Sequence, residues 1–230
     1  MNITTMAKML ESVVYDNVRN GMIIGLGSGR TVAALLDVLA RLSRSVSIDM
    51  ESIRFIPTSL QIKMKAEELK MSIGDESLIP TIDLVLDGAD QIDANNLVMI
   101  KGGGGALLRE KVLMYAARKV VILADESKYV DKLTLPIPIE VVPYARAYVS
   151  STLRSIHAEP HVRVNDRGYP VMTENGNIII DTAFSSIEDP YSLEHRLKCI
   201  PGVVEVGLFS KVADLYYKAR GDGGFDVISR

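Results

Sequence analysis

The chain has 230 residues, of which 47% are hydrophobic and 24% charged, a composition typical of a soluble globular protein with a substantial core. Its net charge of −3 excludes a global basic field that would attract nucleic acid or a membrane surface. Its single cysteine, Cys199, excludes an internal disulfide and a cysteine-rich metal site, and we expect a buried, inert thiol. The first residues contain no apolar run long enough for a signal peptide or a membrane span, so we expect a cytoplasmic protein.

Short apolar runs alternate with helical patterns over the first two-thirds of the chain. The helical pattern at 31–42 illustrates this, because its apolar residues at 32, 35, 36, 39 and 42 form one face. Strands that alternate with helices indicate a parallel sheet with helices on its faces. In chain order, strands are predicted at 22–27, 52–58, 83–90, 97–105 and 120–125, and helices at 31–42, 60–70 and 106–119.

The pattern changes in the segment 135–147, which carries three prolines and marks a plausible domain boundary. Beyond it we expect a helix at about 145–157, short strands around HVRV, PVMT and NIIID, a helix near 190–199, and strands at 202–209 and 214–220 that return to the first sheet. The sequence therefore predicts an α/β fold. A Rossmann-like, mostly parallel sheet flanked by helices is assigned to 1–134 and 206–230, and a smaller α+β (ferredoxin-like) insert to 135–205.

Polar and glycine-rich segments follow five of the predicted strands, after residues 24, 57, 86, 100 and 124. Ligands of parallel sheets bind beyond the carboxyl ends of the strands. We therefore expect these five loops to converge on one edge of the sheet.

The first of these segments, GLGSGRT (25–31), follows a strand and opens a helix, where backbone amides can hold an anion. Arginine occupies the third glycine position of a dinucleotide fingerprint, and no Gly-Lys-Ser/Thr follows, so neither that fingerprint nor a P-loop is present. A tight turn with a threonine cap is the alternative to phosphate binding. The candidate phosphate-binding residues are Ser28, Gly29, Arg30 and Thr31.

Hydroxyl and carboxylate side chains follow the next two predicted strands. Thr58 and the serine after it, in PTSLQ (57–61), can cap the following helix, with or without a hydrogen bond to a ligand. In DGADQID (87–93), Asp87 and Asp90 lie on either side of a glycine and an alanine, and a third aspartate follows. Such carboxylates suit acid–base work, sugar hydroxyls or a divalent metal, although no histidine is nearby, and a solvated turn is the plainest alternative.

The most specific segment is KGGGGALLREK (101–111), in which four glycines lie between a lysine and a predicted helix. Consecutive glycines let backbone amides line an oxyanion site, and Lys101 adds a cation. Glu110 lies near the start of the helix, where the helix dipole favours an anion, so it is the candidate catalytic base. Lys128, in ADESK, is a further cation at the last strand end, although a lone lysine is more often a solvated surface residue.

The motifs GLGSGRT, DGADQID, KGGGGALLREK, ADESK, ENGNIIID and IPGVVEVGLF occur in this order, and together they resemble the type A ribose-5-phosphate isomerase family. The resemblance covers residues 20–225, nearly the whole chain, and the pair DGAD and KGGGGALLREK is highly specific to that family.

The resemblance implies that the protein interconverts D-ribose 5-phosphate and D-ribulose 5-phosphate in the non-oxidative pentose phosphate pathway, with no metal and no other cofactor. Glu110 would move a proton between C2 and C1, Asp87 would assist ring opening and proton movement at the sugar oxygens, and Lys101 would polarise the C1 and C2 oxygens. The implied substrate-binding residues are Ser28, Gly29, Arg30, Thr31, Asp87, Gly88, Ala89, Asp90, Lys101, Gly102, Gly103, Gly104 and Lys128.

The chain departs from the family's usual motifs at two positions. The first loop commonly reads GTGST in the family, so Arg30 replaces a small hydroxyl residue and could either contact phosphate or swing into solvent. Gln91 stands where glutamate is usual, a change that should be tolerated if that glutamate is not catalytic.

Three other functions compete with isomerisation. An acyl-CoA transferase would use a glutamate as a covalent nucleophile, but the chain is short for that. A sugar-phosphate sensor would need a DNA-binding element, and no basic helix-turn-helix precedes residue 22. A degenerate isomerase would bind the sugar phosphate without turnover.

The family resemblance implies a homodimer or homotetramer. We interpret His157, His161 and His195 as surface or structural residues.

Overall fold

The protein is described from a computed structural model over residues 3–44 and 48–229. The α-helices are α1 (Ile3–Asn17), α2 (Gly29–Leu42), α3 (Leu60–Glu68), α4 (Leu107–Ala116), α5 (Arg146–Ser155) and α6 (Pro190–Lys198). The strands are β1 (Ile23–Leu26), β2 (Arg54–Pro57), β3 (Leu84–Gly88), β4 (Gln91–Asp93), β5 (Met99–Ile100), β6 (Lys119–Asp125), β7 (Tyr129–Val130), β8 (Ile137–Val141), β9 (Glu159–Val162), β10 (Ile178–Ala183), β11 (Val203–Val206), β12 (Leu208–Phe209), β13 (Leu215–Ala219) and β14 (Phe225–Ser229). Over these ranges, none of the helices combines the length and apolar character that a membrane-spanning segment requires.

The chain forms two compact units, of which the first comprises Met1–Ala89, Arg109–Lys128 and Ala213–Arg230. Its six-stranded sheet has the order β14-β13-β6-β3-β1-β2. Every neighbouring pair is parallel except β13 and β14, which are antiparallel. The predicted α/β class with a mostly parallel sheet is therefore confirmed.

Helices α1 and α2 contribute most of the apolar residues that cover this sheet. The buried residues of α2 follow the predicted face and include Val32, Leu35 and Leu39. Helix α1 was not predicted, although Met6, Met9, Leu10, Val13 and Val14 are buried at the i, i+3, i+4 spacing of an amphipathic helix.

The second unit comprises Asp90–Leu108 and Tyr129–Val212. One of its sheets has the order β11-β8-β10-β9 with every neighbouring pair antiparallel. The chain runs β8-α5-β9-β10-α6-β11, which is the ferredoxin-like βαββαβ arrangement. The predicted ferredoxin-like insert is therefore confirmed.

The second unit is larger than the predicted insert over 135–205, because it also holds a small sheet of order β12-β5-β4-β7. The prediction that the strand before residue 100 belongs to the parallel sheet is wrong. Strand β5 pairs antiparallel with β4 and β12 instead. The prediction that 202–209 returns to the first sheet is also wrong, because β11 and β12 pair within the second unit. Of the two predicted strands, only 214–220 returns, as β13.

Two smaller predictions need correction. The segment PVMT forms only isolated bridges, through Pro170 and Met172, rather than a strand. Cys199 is exposed rather than buried, because it follows the last turn of α6, and its Sγ lies 3.7 Å from Nε2 of His195. All three histidines are exposed, as interpreted.

Candidate active site

In the first unit, close packing of α4 on β1 places Glu110 at the carboxyl end of the sheet. A Cβ on Gly25 of β1 would lie 3.1 Å from Cδ1 of Leu113, so the helix lies directly against the strand. Glu110 precedes Leu113 by one helical turn and Ser28 follows Gly25 by three residues, which aligns the two polar side chains. Glu110 is only 3% exposed and lies in the first turn of α4.

The hydroxyl of Ser28 donates a hydrogen bond of 2.5 Å to Oε1 of Glu110. Ser28 is the N-cap residue of α2 but makes no capping bond with its side chain, so its hydroxyl is committed to the carboxylate. Short O–H···O⁻ bonds of this kind are charge-assisted and hold the acceptor firmly. Ser28 therefore orients the candidate base, a role that the phosphate-binding prediction did not include.

The carboxylate of Asp87 lies against the backbone of Gly27, at the end of β3. A Cβ at position 27 would meet Oδ1 of Asp87 at 1.7 Å, so only glycine allows this approach. Asp87 is 3% exposed, and its Oδ1 accepts a hydrogen bond of 2.7 Å from the amide of Gly88. Since Gly27 precedes Ser28, the first unit brings Asp87, Ser28 and Glu110 to one end of its sheet, as predicted.

The PTSLQ segment supplies three polar groups beside this loop. Ser59 caps α3 by accepting a hydrogen bond of 3.3 Å from the amide of Ile62, as expected. The hydroxyl of Thr58 is buried and has no hydrogen-bond partner among the described residues. The side-chain Oε1 of Gln61 accepts a bond of 3.1 Å from the amide of Gly29, one of the amides predicted to bind phosphate.

The cations predicted for this end of the sheet differ in exposure. Arg30 is exposed in the first turn of α2, whereas Lys128 is partly buried at the end of a short 3₁₀-helix after β6. Thr31 lies inside α2 and is partly buried, so the alternative that it caps the helix is wrong, because Ser28 occupies the cap position.

In the second unit, a loop of four glycines (102–105, the glycine loop) follows β5 and precedes α4. Gly102 has φ +103° and Gly105 has φ +80°, conformations that glycine adopts without strain. The amide of Gly103 donates a bond of 2.7 Å to Oδ2 of Asp90. Asp90 therefore holds the backbone of the glycine loop. Its Oδ2 is already occupied by this hydrogen bond from Gly103.

Lys101, which precedes the glycine loop, is only 3% exposed. Its amide donates to the carbonyl oxygen of Gly207 at 2.8 Å, and its Nζ lies 5.5 Å from the ring centroid of Phe209. A cation at this distance from an aromatic face is attracted by the ring. The Phe209 ring therefore contributes to the placement of the Lys101 ammonium.

Arg163 and Asp181 were missed by the sequence reasoning. Arg163 donates to the carbonyl oxygens of Gly102 and Gly103 and also pairs with Asp181. Arg163 lies 61 positions from Gly102 and Asp181 lies 18 positions further on, so no local pattern links them to the glycine loop. Gln61 lies within the PTSLQ motif, in which only the hydroxyls of the neighbouring residues indicate a cap or a ligand contact.

Both aspartates of the DGAD motif accept hydrogen bonds from backbone amides. Within residues 3–44 and 48–229, no group of three His, Cys, Asp or Glu side chains lies close enough together to hold a metal ion. Asp87 and Asp90 instead have backbone amides as hydrogen-bond donors, those of Gly88 and Gly103. Such amides stabilise carboxylates without a cation.

Comparison with known proteins gives one consistent result. Residues 54–223 match the family described as ribose 5-phosphate isomerase A (phosphoriboisomerase A). The chain is 41% identical over 215 residues to ribose-5-phosphate isomerase A of Methanosarcina acetivorans, covering 93% of this chain and 89% of the relative. It is 39% identical over 228 residues to the Pyrococcus horikoshii protein of the same name, covering 97% of each chain.

Solved structures give the same match. The ribose 5-phosphate isomerase A of Methanocaldococcus jannaschii is similar with a TM-score of 0.89 and 35% identity, covering 99% of this chain and 97% of that one. A D-ribose-5-phosphate isomerase in complex with phospho-erythronic acid is similar with a TM-score of 0.92 and 36% identity over the whole of both chains.

Proposed function

Because the chain belongs to the ribose 5-phosphate isomerase A family, we propose that it interconverts D-ribose 5-phosphate and D-ribulose 5-phosphate. The observation that carries the mechanism is the buried Glu110 carboxylate, oriented by the Ser28 hydroxyl at 2.5 Å. A similar protein binds phospho-erythronic acid, a phosphorylated sugar acid, which supports a sugar-phosphate ligand.

The proposed reaction moves a proton between neighbouring carbons through an enediolate. Glu110 takes the proton from C2 of the open-chain aldose and returns it to C1. The C2 hydroxyl proton moves to the C1 oxygen, so C1 is reduced, C2 is oxidised and the composition is unchanged. One carboxylate suffices if both carbons lie within its reach. The hydrogen bond from Ser28 supports this role because it holds the carboxylate in one position, and a base must lie within hydrogen-bond distance of the proton that it takes.

Asp87 is proposed to assist ring opening and proton movement between the sugar oxygens. Its burial and its fixed position against Gly27 support this, since a carboxylate held in one place can accept and return a proton repeatedly. The neighbouring Gly88 and Ala89 are proposed to contact the substrate through their backbones.

Donors from the second unit are proposed to stabilise the charge that develops on the C1 and C2 oxygens. Lys101 supplies a cation, and the amides of the glycine loop, Gly102 to Gly104, supply dipoles. The Gly103 amide already donates to Asp90 at 2.7 Å, which supports Asp90 as a residue that shapes this loop as well as a substrate contact.

The phosphate end is proposed to bind at the start of α2. The amide of Gly29, the side chains of Arg30 and Thr31, and the ammonium of Lys128 are the proposed contacts. Helix N-termini favour phosphate because their amides lack partners within the helix. The exposure of Arg30 leaves its side chain accessible to a phosphate.

We also propose a cytoplasmic homodimer or homotetramer that serves the non-oxidative pentose phosphate pathway, with no cofactor and no nucleic-acid or membrane partner. The family resemblance supports this part of the proposal, and light scattering would determine the subunit number.

The test is ketose formation from D-ribose 5-phosphate in the presence of EDTA, with D-glucose 6-phosphate as a control aldose phosphate. We expect turnover of the pentose phosphate that EDTA does not reduce. A protein that binds ribose 5-phosphate without turnover would be a sensor or a degenerate isomerase, and this outcome would contradict the proposal.

A further inference from the structure

Arg163 follows β9 and forms a two-pronged ion pair with Asp181 of β10. Its Nε lies 2.8 Å from Oδ2 of Asp181, and its Nη2 lies 2.5 Å from Oδ1. The side chains of Arg163 and Asp181 are only 18% and 28% exposed. A guanidinium bound at two points to a carboxylate has one orientation, because both groups are planar.

The remaining terminal nitrogen of Arg163 points at the glycine loop. Nη1 donates to the carbonyl oxygen of Gly102 at 2.9 Å and to that of Gly103 at 3.1 Å. The one guanidinium therefore joins the ferredoxin-like sheet to two consecutive peptide groups of the loop.

The planarity of the peptide bond converts these contacts into an orientation of the amides. In a trans peptide, the carbonyl of one residue and the N–H of the next point in opposite directions. The described residues contain no cis peptide, so two carbonyls turned toward Arg163 turn the N–H groups of Gly103 and Gly104 away from it. The Gly103 N–H accordingly meets Asp90 on that side, at 2.7 Å.

We infer that Arg163, fixed by Asp181, is a positioning residue that presents the Gly104 amide of the glycine loop to the reacting oxygens, while the Gly103 amide stays bound to Asp90. The inference rests on the proposed function, in which the amides of this loop stabilise the enediolate. Arg163 does not touch the substrate in this account. Its effect is to keep the donors turned in one direction, and such preorganised donors stabilise a transition state because they need not reorient.

The test compares two ligands that differ at the reacting carbons. Phospho-erythronate carries a carboxylate that imitates the charged enediolate, whereas ribitol 5-phosphate has neither a carbonyl nor a carboxylate. We expect Arg163→Met to weaken binding of phospho-erythronate at least about tenfold and binding of ribitol 5-phosphate less than about threefold, since lost oxyanion donors cost about 10²–10³ in rate. In turnover, kcat should fall about 10- to 100-fold while KM changes less than about threefold.

Arg163→Lys and Asp181→Asn are the companion variants. A lysine has one compact ammonium and cannot hold Asp181 at two points and both carbonyls at once, so Arg163→Lys should give an intermediate loss. If Arg163→Met does not fold, the affinities of Arg163→Lys for the two ligands provide the test instead. Arg167→Met, which removes an exposed arginine from the turn after β9, should change neither ligand's affinity.

Equal weakening of both ligands by Arg163→Met would reduce Arg163 to a structural residue and overturn the inference, and so would unchanged affinity for phospho-erythronate. Failure of the proposed function is distinguishable, because it would appear as a wild-type protein that does not convert ribose 5-phosphate, whereas the ligand comparison requires no turnover.

Discussion

The two units hold their candidate site residues by different means. In the first unit, Glu110 and Asp87 are each 3% exposed and are placed by close packing at strand ends, where Gly25 and Gly27 leave no space for a side chain. In the second unit, the glycine loop is held by hydrogen bonds of its backbone, because the Gly103 amide donates to Asp90 and Arg163 donates to the carbonyl oxygens of Gly102 and Gly103. The first arrangement should therefore be sensitive to added volume, and the second to the loss of a polar partner.

Added volume in the first unit is expected to lower both activity and stability. In Gly27→Ala, the new Cβ would lie 1.7 Å from Oδ1 and 2.0 Å from Cγ of Asp87, so the whole carboxylate must move. We expect kcat/KM to fall by about 10² or more and the free energy of unfolding by about 1–3 kcal/mol. Steady-state kinetics and urea unfolding measure the two effects.

The matched variant for this test is Gly103→Ala in the second unit. Its Cβ would lie 2.7 Å from Oδ1 of Asp90, at an exposed position whose φ is not positive. We expect a loss in kcat/KM several times smaller than that of Gly27→Ala. A loss in Gly103→Ala equal to or larger than that in Gly27→Ala would contradict the proposed difference between the two units.

The next expected effect is a loss of stability when a polar partner is removed in the second unit. Glu140 of β8 is fully buried, and its Oε1 accepts hydrogen bonds from Thr173 at 2.8 Å, Asn175 at 3.0 Å and Asn177 at 2.8 Å. Glu140→Ala leaves these donors without their acceptor, so we expect a loss of about 3 kcal/mol in the free energy of unfolding. Urea unfolding measures it. The exposed Glu159→Ala on β9 should lose less than about 0.5 kcal/mol, and equal losses would contradict the role given to Glu140.

A smaller effect is expected at the phosphate end of the first unit, where Oε1 of Gln61 accepts from the Gly29 amide at 3.1 Å. Gln61→Glu would place a negative charge beside the proposed phosphate site. We expect KM for ribose 5-phosphate to rise about tenfold with kcat nearly unchanged, because like charges at a binding site repel. Gln61→Ala removes the competing acceptor and should not raise KM. An unchanged KM in Gln61→Glu would place the phosphate elsewhere.

The smallest expected effect on stability comes from Thr58, whose buried hydroxyl has no hydrogen-bond partner among the described residues. Thr58→Val keeps the shape and removes the polar atom. We expect the free energy of unfolding to stay the same or rise by about 1 kcal/mol, because an unpaired buried hydroxyl is unfavourable. If the hydroxyl binds substrate, KM should rise at the same time. A clear loss of stability in thermal unfolding would contradict this account of Thr58.

Prediction from sequence was most successful where the pattern is local. The alternation of strands and helices gave the α/β class, and the apolar spacing of α2 gave its buried face, including Leu35 and Leu39. The assignment of strands to sheets was harder to predict. The two-residue strand β5 has no sequence pattern that distinguishes a parallel partner from an antiparallel one. Strand β5 was therefore assigned to the wrong sheet.

The candidate site shows the same limit. Glu110 and Asp87 were selected from their motifs, and the structure brings them to one end of the first unit's sheet. The contacts that orient Glu110 and the glycine loop could not be predicted, because Ser28 lies 82 positions from Glu110 and Arg163 lies 61 positions from Gly102. Such contacts depend on how the elements pack, and no single segment contains both partners.

The central claim, that Glu110 carries the proton between C2 and C1, is tested most directly with Glu110→Gln. The measurement is exchange of the C2 proton of ribose 5-phosphate with deuterium from D₂O, followed by NMR alongside ketose formation. The substitution keeps the size of the side chain and removes the base, so both rates should fall by about 10²–10⁴. The exposed Glu67→Gln on α3 is the control and should match the wild type. Wild-type rates in Glu110→Gln would contradict the claim and move the role of base to Asp87.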